Sequence, residues 1–483
     1  MVSYRKIATN VLYTFDTNNE ILSLIIDRIF KNYNLSLSEM KRSRVIINEV
    51  IRWRGVLDYI IERCSKKRIN QIQPKLRNIL RLGCYELLFD NFIPDFAAIH
   101  SIVDLSKKII NKKTSSMVNA VMRNIQRQYK NDPQWVESII NNKIELGYPK
   151  WLVKKWTKQF GKLKTHRLCS NFLKKSSMYI RLDENQLGIN DTINFLKESN
   201  IKIKQHDELK NYLEVIKGQD KIINNELFKS GILSVQDPAS GAVVSLVDPQ
   251  IGETILDVCA APGTKSLLMS QKVGPNGKIF ASDKNIKRVE KGINDISRHR
   301  KDNISWSALD ATKDEFPLCK KILIDAPCSG TGVIGRRPDI KWRIKKKDID
   351  IMARLQESIL DHMSNFLIPG GKIIYSTCSL ENEENIEVLK AAMNFTKKSD
   401  VEEFLKERKI DLSKLFVKQS VSSAKDLVNG LFDFWEKNYL KEERFSRFTE
   451  LGLSKSIIDV YIKSLLSTIE NQNLKSKISS TIE

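Results

Sequence analysis

The chain has 483 residues, 41% of them hydrophobic, and carries 80 basic against 58 acidic residues for a formal net charge of +22. That length supports two to four domains with their own cores, and the charge favours a polyanionic partner, most often nucleic acid. Composition argues against a disulfide scaffold and a structural zinc site, because the seven cysteines include no C-x-x-C pair and the five histidines are scattered. No metal is expected. No run of about 18 apolar residues occurs, and the start Met-Val-Ser-Tyr-Arg-Lys lacks the apolar stretch of a signal peptide. The expectation is a soluble, cytoplasmic monomer with reduced thiols and no membrane partner.

Residues 1–130 carry helical spacing throughout. Tyr4, Ile7, Ala8, Val11 and Leu12 share one face, and Ile21, Leu24, Ile25 and Ile29 another. Residues 35–64 hold Val45, Val50, Ile51, Val56, Leu57, Ile60 and Ile61 with charges between them. Pro74 suits the first turn of a helix bearing Leu76, Ile79, Leu80, Leu87 and Leu88. Two basic runs fall on this bundle: Arg63, Lys66, Lys67, Arg68, Lys75, Arg77 and Arg81, then Lys107, Lys108, Lys112, Lys113, Arg123, Arg127 and Lys130. Most charge runs are solvated helix faces. The lack of interleaved acids favours RNA contact, with Arg63, Lys66, Lys67 and Arg68 as the expected contacts. The segments Ile51-Arg-Trp-Arg-Gly-Val-Leu-Asp58, Leu80-Arg-Leu-Gly-Cys-Tyr-Glu-Leu-Leu88, Ile93-Pro-Asp-Phe-Ala-Ala98 and Val118-Asn-Ala-Val-Met-Arg-Asn124 resemble the NusB-like RNA-binding domain. Phe96 stands where that family usually has His, and Ser116 where Gly is common.

A polar break, Tyr129-Lys-Asn-Asp-Pro133, follows. Residues 131–232 mix helix and strand: a helix over Trp151–Phe160, a strand over Met178–Leu182, a helix over Ile189–Ser199 and a strand over Tyr212–Ile216. This small α+β module resembles the linker domain of RNA cytosine methyltransferases. Residues 233–395 alternate strand and helix, with strands near 254–258, 278–282, 304–308, 321–325 and 371–376, the pattern of a doubly wound, Rossmann-like α/β sheet.

The loops after these strands are expected to carry the chemistry, since ligands bind at the carboxyl ends of open α/β sheets. After the first strand comes Asp257-Val-Cys-Ala-Ala-Pro-Gly-Thr-Lys265. Gly263 allows close backbone approach to a ligand, although this is neither G-x-G-x-x-G nor Walker A. Asp283 ends the second strand, where an acid grips ribose hydroxyls, and Asp310 follows the third, placed to accept from an adenine amino group. One such acid is often only a helix cap; three in succession make a nucleoside-binding pattern. Then Ile322-Leu-Ile-Asp-Ala-Pro-Cys-Ser-Gly-Thr-Gly332 brings Asp325 and Cys328 to a strand end, and Lys372-Ile-Ile-Tyr-Ser-Thr-Cys-Ser379 does the same for Cys378. Two strand-end thiols beside one acid point to covalent chemistry on an electrophilic ring. The reading of cysteine as a small buried hydrophobe suits Cys64, Cys84, Cys169 and Cys319, and a redox disulfide is disfavoured in a reducing compartment.

Cys-Ala-Ala-Pro-Gly-x-Lys, Asp-Ala-Pro-Cys-Ser-Gly and Ser-Thr-Cys-Ser together resemble the RNA 5-methylcytosine methyltransferases. With the NusB-like start, the chain is similar to the RsmB/Sun (Fmu) family of bacterial 16S rRNA methyltransferases over residues 1–395. Gln236-Asp-Pro-Ala-Ser240 and Arg337-Pro-Asp-Ile-Lys-Trp342 match further segments of it. The resemblance implies an S-adenosylmethionine site built from Cys259, Ala260, Ala261, Pro262, Gly263, Thr264, Lys265, Asp283, Asp310 and Asp325. It implies Cys378 as nucleophile, Cys328 as the aid to elimination, and Asp325 beside ring and cofactor. It implies small-subunit rRNA as partner.

The chemistry explains this inventory. Cytosine C5 is a poor nucleophile, and thiolate addition at C6 makes it enamine-like, with charge building on N3 and O2 for an acid to stabilise. An ordinary thiol is mostly protonated at neutral pH, so the site must lower that of the nucleophile, and Lys341 and Arg337 are the neighbours considered. The segment from Arg336 to Lys347 has seven cations and only Asp339 in opposition near its start. It is expected to clamp RNA backbone through Arg336, Arg337 and Lys341, with Trp342 stacking on a base or packing, while the target base is flipped out. The hairpin that completes the family's sheet is not found after 395, and residues 396–483 read as an atypical helical extension of unknown role. Two alternatives follow: an RNA-binding or ribosome-assembly factor of this fold that has lost catalysis, or a tRNA cytosine-C5 methyltransferase.

Overall fold

The computed structural model describes residues 3–392 apart from 19, 91 and 184; the helical tail expected at 396–483 lies outside the described residues. The described chain falls into two compact units, residues 3–176 with 330–345, and residues 177–329 with 346–392.

The first unit is helical. Its helices are Tyr4–Asn18, Leu22–Phe30, Leu37–Ser65, Pro74–Leu88, Asp95–Ile109, Lys112–Asn131, Trp135–Asn142, Lys150–Phe160 and Lys162–Leu173. Of the apolar positions read from the sequence, Ile7, Val11, Ile60, Ile79 and Leu80 lie inside, joined there by Ile46, Ile47, Ile102 and Met122, whereas Ile21, Leu24 and Val45 are exposed. Each buried side chain of this kind contributes about 1.5–3 kcal/mol by leaving water. A capping box between Ser36 and Glu39 starts the longest helix, and Pro74 occupies the first turn of its own. Trp135 and Ile139 belong to the bundle's core, so the chain between 135 and 173 stays with the helices rather than with the strands that follow.

The first basic run divides in the fold. Arg81 is buried and paired with Asp58 at 2.6 Å and Asp16 at 2.8 Å, and Asp16 also takes Arg54 and Arg77 at 3.1 and 3.2 Å. Burial pushes the Asp16 carboxyl up, and the guanidinium groups of Arg54, Arg81 and Arg77 outweigh it, leaving it below the ordinary carboxylate range. Arg77 and Arg81 are therefore structural cations. Arg63, Lys66, Lys67 and Arg68 stay exposed at the end of the helix Leu37–Ser65 and in the turn after it.

Residues 330–345 leave the catalytic half of the sequence to join this helical unit, and here two expectations are corrected. Lys341 is fully buried, its Nζ donating to Arg52 O at 2.8 Å and lying 4.2 Å from the centre of the Tyr148 ring. Burial drives its pKa well down. The Trp342 indole donates to Ile51 O at 2.9 Å, and Arg54 stacks over its ring at 4.9 Å. Arg52 returns the grip by donating to Gly335 O at 2.6 Å and Phe172 O at 3.2 Å. Lys341, expected to clamp RNA, is instead buried as an anchor of this segment, and Trp342 takes the packing role rather than standing free to stack. Arg336 and Arg337 are exposed.

The second unit begins with strands β1 (Met178–Leu182), β2 (Lys202–Gln205), β3 (Tyr212–Lys217) and β4 (Leu233–Val235), an antiparallel sheet in the order β2-β3-β1-β4. Ile180 faces Leu213 on one side and Val235 on the other. Strands β5 (Thr254–Asp257), β6 (Lys278–Ser282), β7 (Ile304–Ser307), β8 (Cys319–Asp325) and β9 (Leu367–Ser376) form, among the described residues, a parallel sheet in the order β7-β6-β5-β8-β9. Ile255, Ile322, Leu323 and Ile324 are fully buried, as continuous apolar runs in a two-sided sheet must be. Strand order reverses between β5 and β8, which opens a crevice at their carboxyl ends. The β8–β9 register sets Asp325 opposite Ser376, so Cys328 and Cys378 leave the sheet side by side.

Candidate active site

The β5 loop turns through Gly263, whose φ of 95° suits glycine. A Cβ there would stand 2.5 Å from Ile296 Cδ1 and 2.7 Å from Trp306 Cζ2, so the turn is fitted against its neighbours. Ala260, Ala261 and Gly263 are buried, Cys259, Thr264 and Lys265 half-buried, and Pro262 exposed. The Cys259 thiol is pushed up by burial and by Asp257, Asp283 and Asp325, which disfavours its thiolate.

Around this loop the strand ends present acids. Asp283 is buried, bridged by Arg288 at 2.9 Å, and Arg288 also donates to Ala261 O at 2.6 Å. Asp310 is held at 2.8 Å by Lys284 and accepts from Thr312; these bonds, led by Lys284, lower its pKa to about 2. Asp325 takes Lys265 Nζ at 2.6 Å and Ser376 Oγ at 2.8 Å, tying β5, β8 and β9 together.

Asp257 completes the series of three strand-end acids read from sequence, with no role of its own assigned there. It is fully buried; Ser266 Oγ donates to its Oδ2 at 2.6 Å, while Oδ1 has no hydrogen-bond partner among the described residues. Burial pushes its carboxyl up to about 7. An orphaned buried oxygen beside a close-packed glycine turn and a series of strand-end acids fits a ligand rich in hydroxyl and ammonium donors. Gln236, quoted above only as part of a motif, donates to Thr264 O at 3.1 Å and accepts from Arg181 at 2.5 Å and Tyr212 at 3.0 Å, joining the small sheet to the loop.

Cys328 and Cys378 meet. Their sulfurs lie 3.0 Å apart and both are free thiols. Cys378 is exposed, and Cys328 is half-buried beneath the loop. The S–H of Cys328 holds the Cys378 thiol below its ordinary range, helped by Lys265 and opposed by burial, Asp325 and Glu384. Cys328, as the proton donor, is pushed up. The lowering comes from a partner thiol and Lys265; Lys341, considered for that role, is engaged within the helical unit.

Under both thiols sits Glu384, missed from sequence. Its buried carboxylate accepts from Ser329 N at 2.6 Å, Gln356 Nε2 at 3.2 Å and the hydroxyls of Ser329 and Ser379. The signal lay in the acid-rich Glu381-Asn-Glu-Glu-Asn385 directly after Cys378. No cluster of metal-ligating side chains occurs among the described residues, and no described helix is long and apolar enough to cross a membrane.

A parallel sheet with this strand order, a glycine turn after β5 and strand-end acids defines a Rossmann-like methyltransferase domain. Family models agree: "16S rRNA methyltransferase RsmB/F" matches residues 244–432, "NusB family" residues 3–127, and "Methyltr_RsmF/B-like, ferredoxin-like domain" residues 148–220. A Synechocystis protein named "Probable ribosomal RNA small subunit methyltransferase B" is 30% identical over 80% of this chain and 89% of its own. A Bacillus subtilis protein of the same name is 29% identical over 80% and 88%. The crystal structure of PH0851, 22% identical, superposes with a TM-score of 0.64 over 82% of this chain and 90% of that one, a likeness of fold. The chain belongs to the RsmB/F family of 16S rRNA methyltransferases. Its cofactor is S-adenosylmethionine. The family match runs to residue 432, which corrects the reading that the resemblance stops at 395.

Proposed function

We propose that this protein methylates C5 of a cytosine in small-subunit rRNA, with Cys378 as the nucleophile that adds to C6. The observation that carries this is the pair of free thiols 3.0 Å apart beside the Asp325–Lys265 pair. A lone reactive cysteine can add to a ring; a second thiol in contact with it can favour the thiolate and is placed to handle a proton at a later step. S-adenosylmethionine supplies an electrophilic methyl group on a sulfonium centre. Asp283 would accept from its ribose hydroxyls and Asp310 from its adenine edge, and residues 259–265 would hold the methionine end, with the free Oδ1 of Asp257 available to its ammonium group.

Cys378, as thiolate, forms a bond to C6 and the ring's electrons move toward N3 and O2. Asp325, held by Lys265 and Ser376, lies beside this charge. C5 takes the methyl group. Once Cys378 is bonded to C6, Cys328 gives its proton to solvent and as thiolate takes the C5 proton; the C5–H electron pair reforms the C5–C6 bond, and the C6–S bond breaks to return the Cys378 thiolate. RNA is held by exposed cations, Arg63, Lys66, Lys67 and Arg68 on the helical unit and Arg336 and Arg337 beyond the Cys328 loop.

The two cysteines separate by step. Cys328→Ala should attack and methylate but release slowly, leaving protein covalently joined to RNA on a denaturing gel. Cys378→Ala should form no adduct and transfer no methyl group. The adduct appearing with Cys378→Ala would reverse the roles, and its absence from both variants, with methylation retained, would end the covalent reading.

A further inference from the structure

Cys328 and Cys378 each precede a serine, and the two corners Cys328-Ser329 and Cys378-Ser379 come from loops fifty residues apart. They converge on one carboxylate. Glu384 Oε1 accepts the Ser329 N–H at 2.6 Å and Gln356 Nε2 at 3.2 Å, and Oε2 accepts both serine hydroxyls, which themselves lie 3.1 Å apart. Gln356 extends the grip by donating to Pro327 O at 2.8 Å, the carbonyl just before Cys328. The carboxylate is itself fixed: Tyr375 OH donates to Glu384 O at 2.8 Å, and Asn385 Nδ2 donates to Ser379 O at 3.0 Å and Glu381 O at 2.9 Å. Glu384 and Gln356 are completely buried.

A buried carboxyl group that gathers donors from two separate loops ties them to one point. We propose that Glu384 is a positioning residue that clamps the two Cys-Ser corners together and so sets the thiol–thiol geometry on which the cytosine chemistry depends. The proposal rests on the reading of Cys378 and Cys328 above. It acts through the serines: Glu384 reaches neither sulfur by a hydrogen bond, but it fixes the backbone from which each sulfur projects. With the corners held, the two sulfurs stay within hydrogen-bond reach at 3.0 Å. With them released, each thiol takes the rotamer its own loop prefers, and Cys378 loses the donor that favours its thiolate.

The test is the pH profile of iodoacetamide alkylation at Cys378 in the full-length protein, read by mass spectrometry of the Cys378 peptide, with thermal melting to confirm folding. Glu384→Ala should move the midpoint up by about one unit, roughly tenfold slower alkylation at any pH below it. Glu384→Gln should leave the midpoint at or below wild type: its amide oxygen still accepts from Ser329 N–H and Gln356 while the serine hydroxyls turn to accept from its NH2 group, and the charge that opposes the Cys378 thiolate is gone. A wild-type midpoint in folded Glu384→Ala, with only a lower melting temperature, would overturn the proposal. Should Glu384→Ala not fold, the Ser329→Ala/Ser379→Ala double variant decides: it keeps the carboxylate and removes both hydroxyl ties, so an upward midpoint supports the clamp and an unmoved one refutes it. Failure of the covalent reading is seen elsewhere, as methyl transfer that survives Cys378→Ala, and leaves the alkylation profile intact as a test of the clamp.

Discussion

Asp257 holds a buried oxygen without a partner and a carboxyl pushed up to about 7 by burial, from an ordinary value of 3.8. Because the folded value lies above the unfolded one, the acid binds its proton more tightly when folded. Its contribution to stability is complete below about pH 4 and is lost as pH rises to about 7. Asp257→Asn keeps an acceptor for Ser266 Oγ and cannot ionise. Its melting temperature relative to wild type should therefore climb between pH 4 and pH 7 in the absence of cofactor; a constant difference would show that Asp257 does not titrate there. The residues legible in sequence were those whose chemistry is rare in a loop: paired thiols, an acid at each strand end, a glycine turn. The burial of Asp257 and the role of Glu384 escaped because a carboxylate in a run of acids, or at the last position of a strand, gives no sign of what folds onto it. The four donors of Glu384 come from positions 329, 356 and 379, a convergence that only the β8–β9 register creates.

At the scale of elements, the strands of the large sheet and the long helices were visible in periodicity, since each buries one continuous apolar run or stripe. The short strands β2 and β4 were not: Lys202-Ile-Lys-Gln205 is half-exposed and polar, and its pairing with β3 is a tertiary matter. The basic runs misled in a definable way. Absence of acids within a run says nothing about acids on neighbouring helices, and Asp16 and Asp58 claim Arg77 and Arg81 across more than twenty positions of sequence. Likewise Lys341 and Trp342, in a segment dense with cations, are anchors for residues 330–345 on the carbonyls of Arg52 and Ile51. These facts choose the variants for a binding test. Removing residues 1–130 would strip Lys341 and Trp342 of their partners, confusing loss of contact with loss of fold. Arg63, Lys66, Lys67 and Arg68 changed together to Ala should instead leave melting nearly unchanged. Salt dependence of RNA binding should flatten, each lost phosphate contact removing about 0.9 from the log–log slope on duplex and about 0.7 on single strands. Lys341→Met should leave that slope as it is. A slope unmoved by the four-residue change would make this patch an ordinary solvated surface.

The whole molecule joins a helical unit of the NusB type to a methyltransferase unit that carries its own small antiparallel sheet. The chain crosses between units more than once: it leaves the catalytic unit immediately after Ser329, one residue past Cys328, and returns at Lys346. Domain order was plain from composition and spacing, but this excursion was not, because its sixteen residues sit within the catalytic half of the sequence and resemble it. With the net charge of +22, the architecture is that of an RNA methyltransferase whose substrate is a large polyanion. The measurement that tests this account most directly is transfer of labelled methyl from S-adenosylmethionine to unmodified small-subunit rRNA by the full-length protein, followed by digestion to nucleosides. The account predicts label in 5-methylcytidine and none with Cys378→Ala. Label in another nucleoside, or 5-methylcytidine formed equally well by Cys378→Ala, would contradict it.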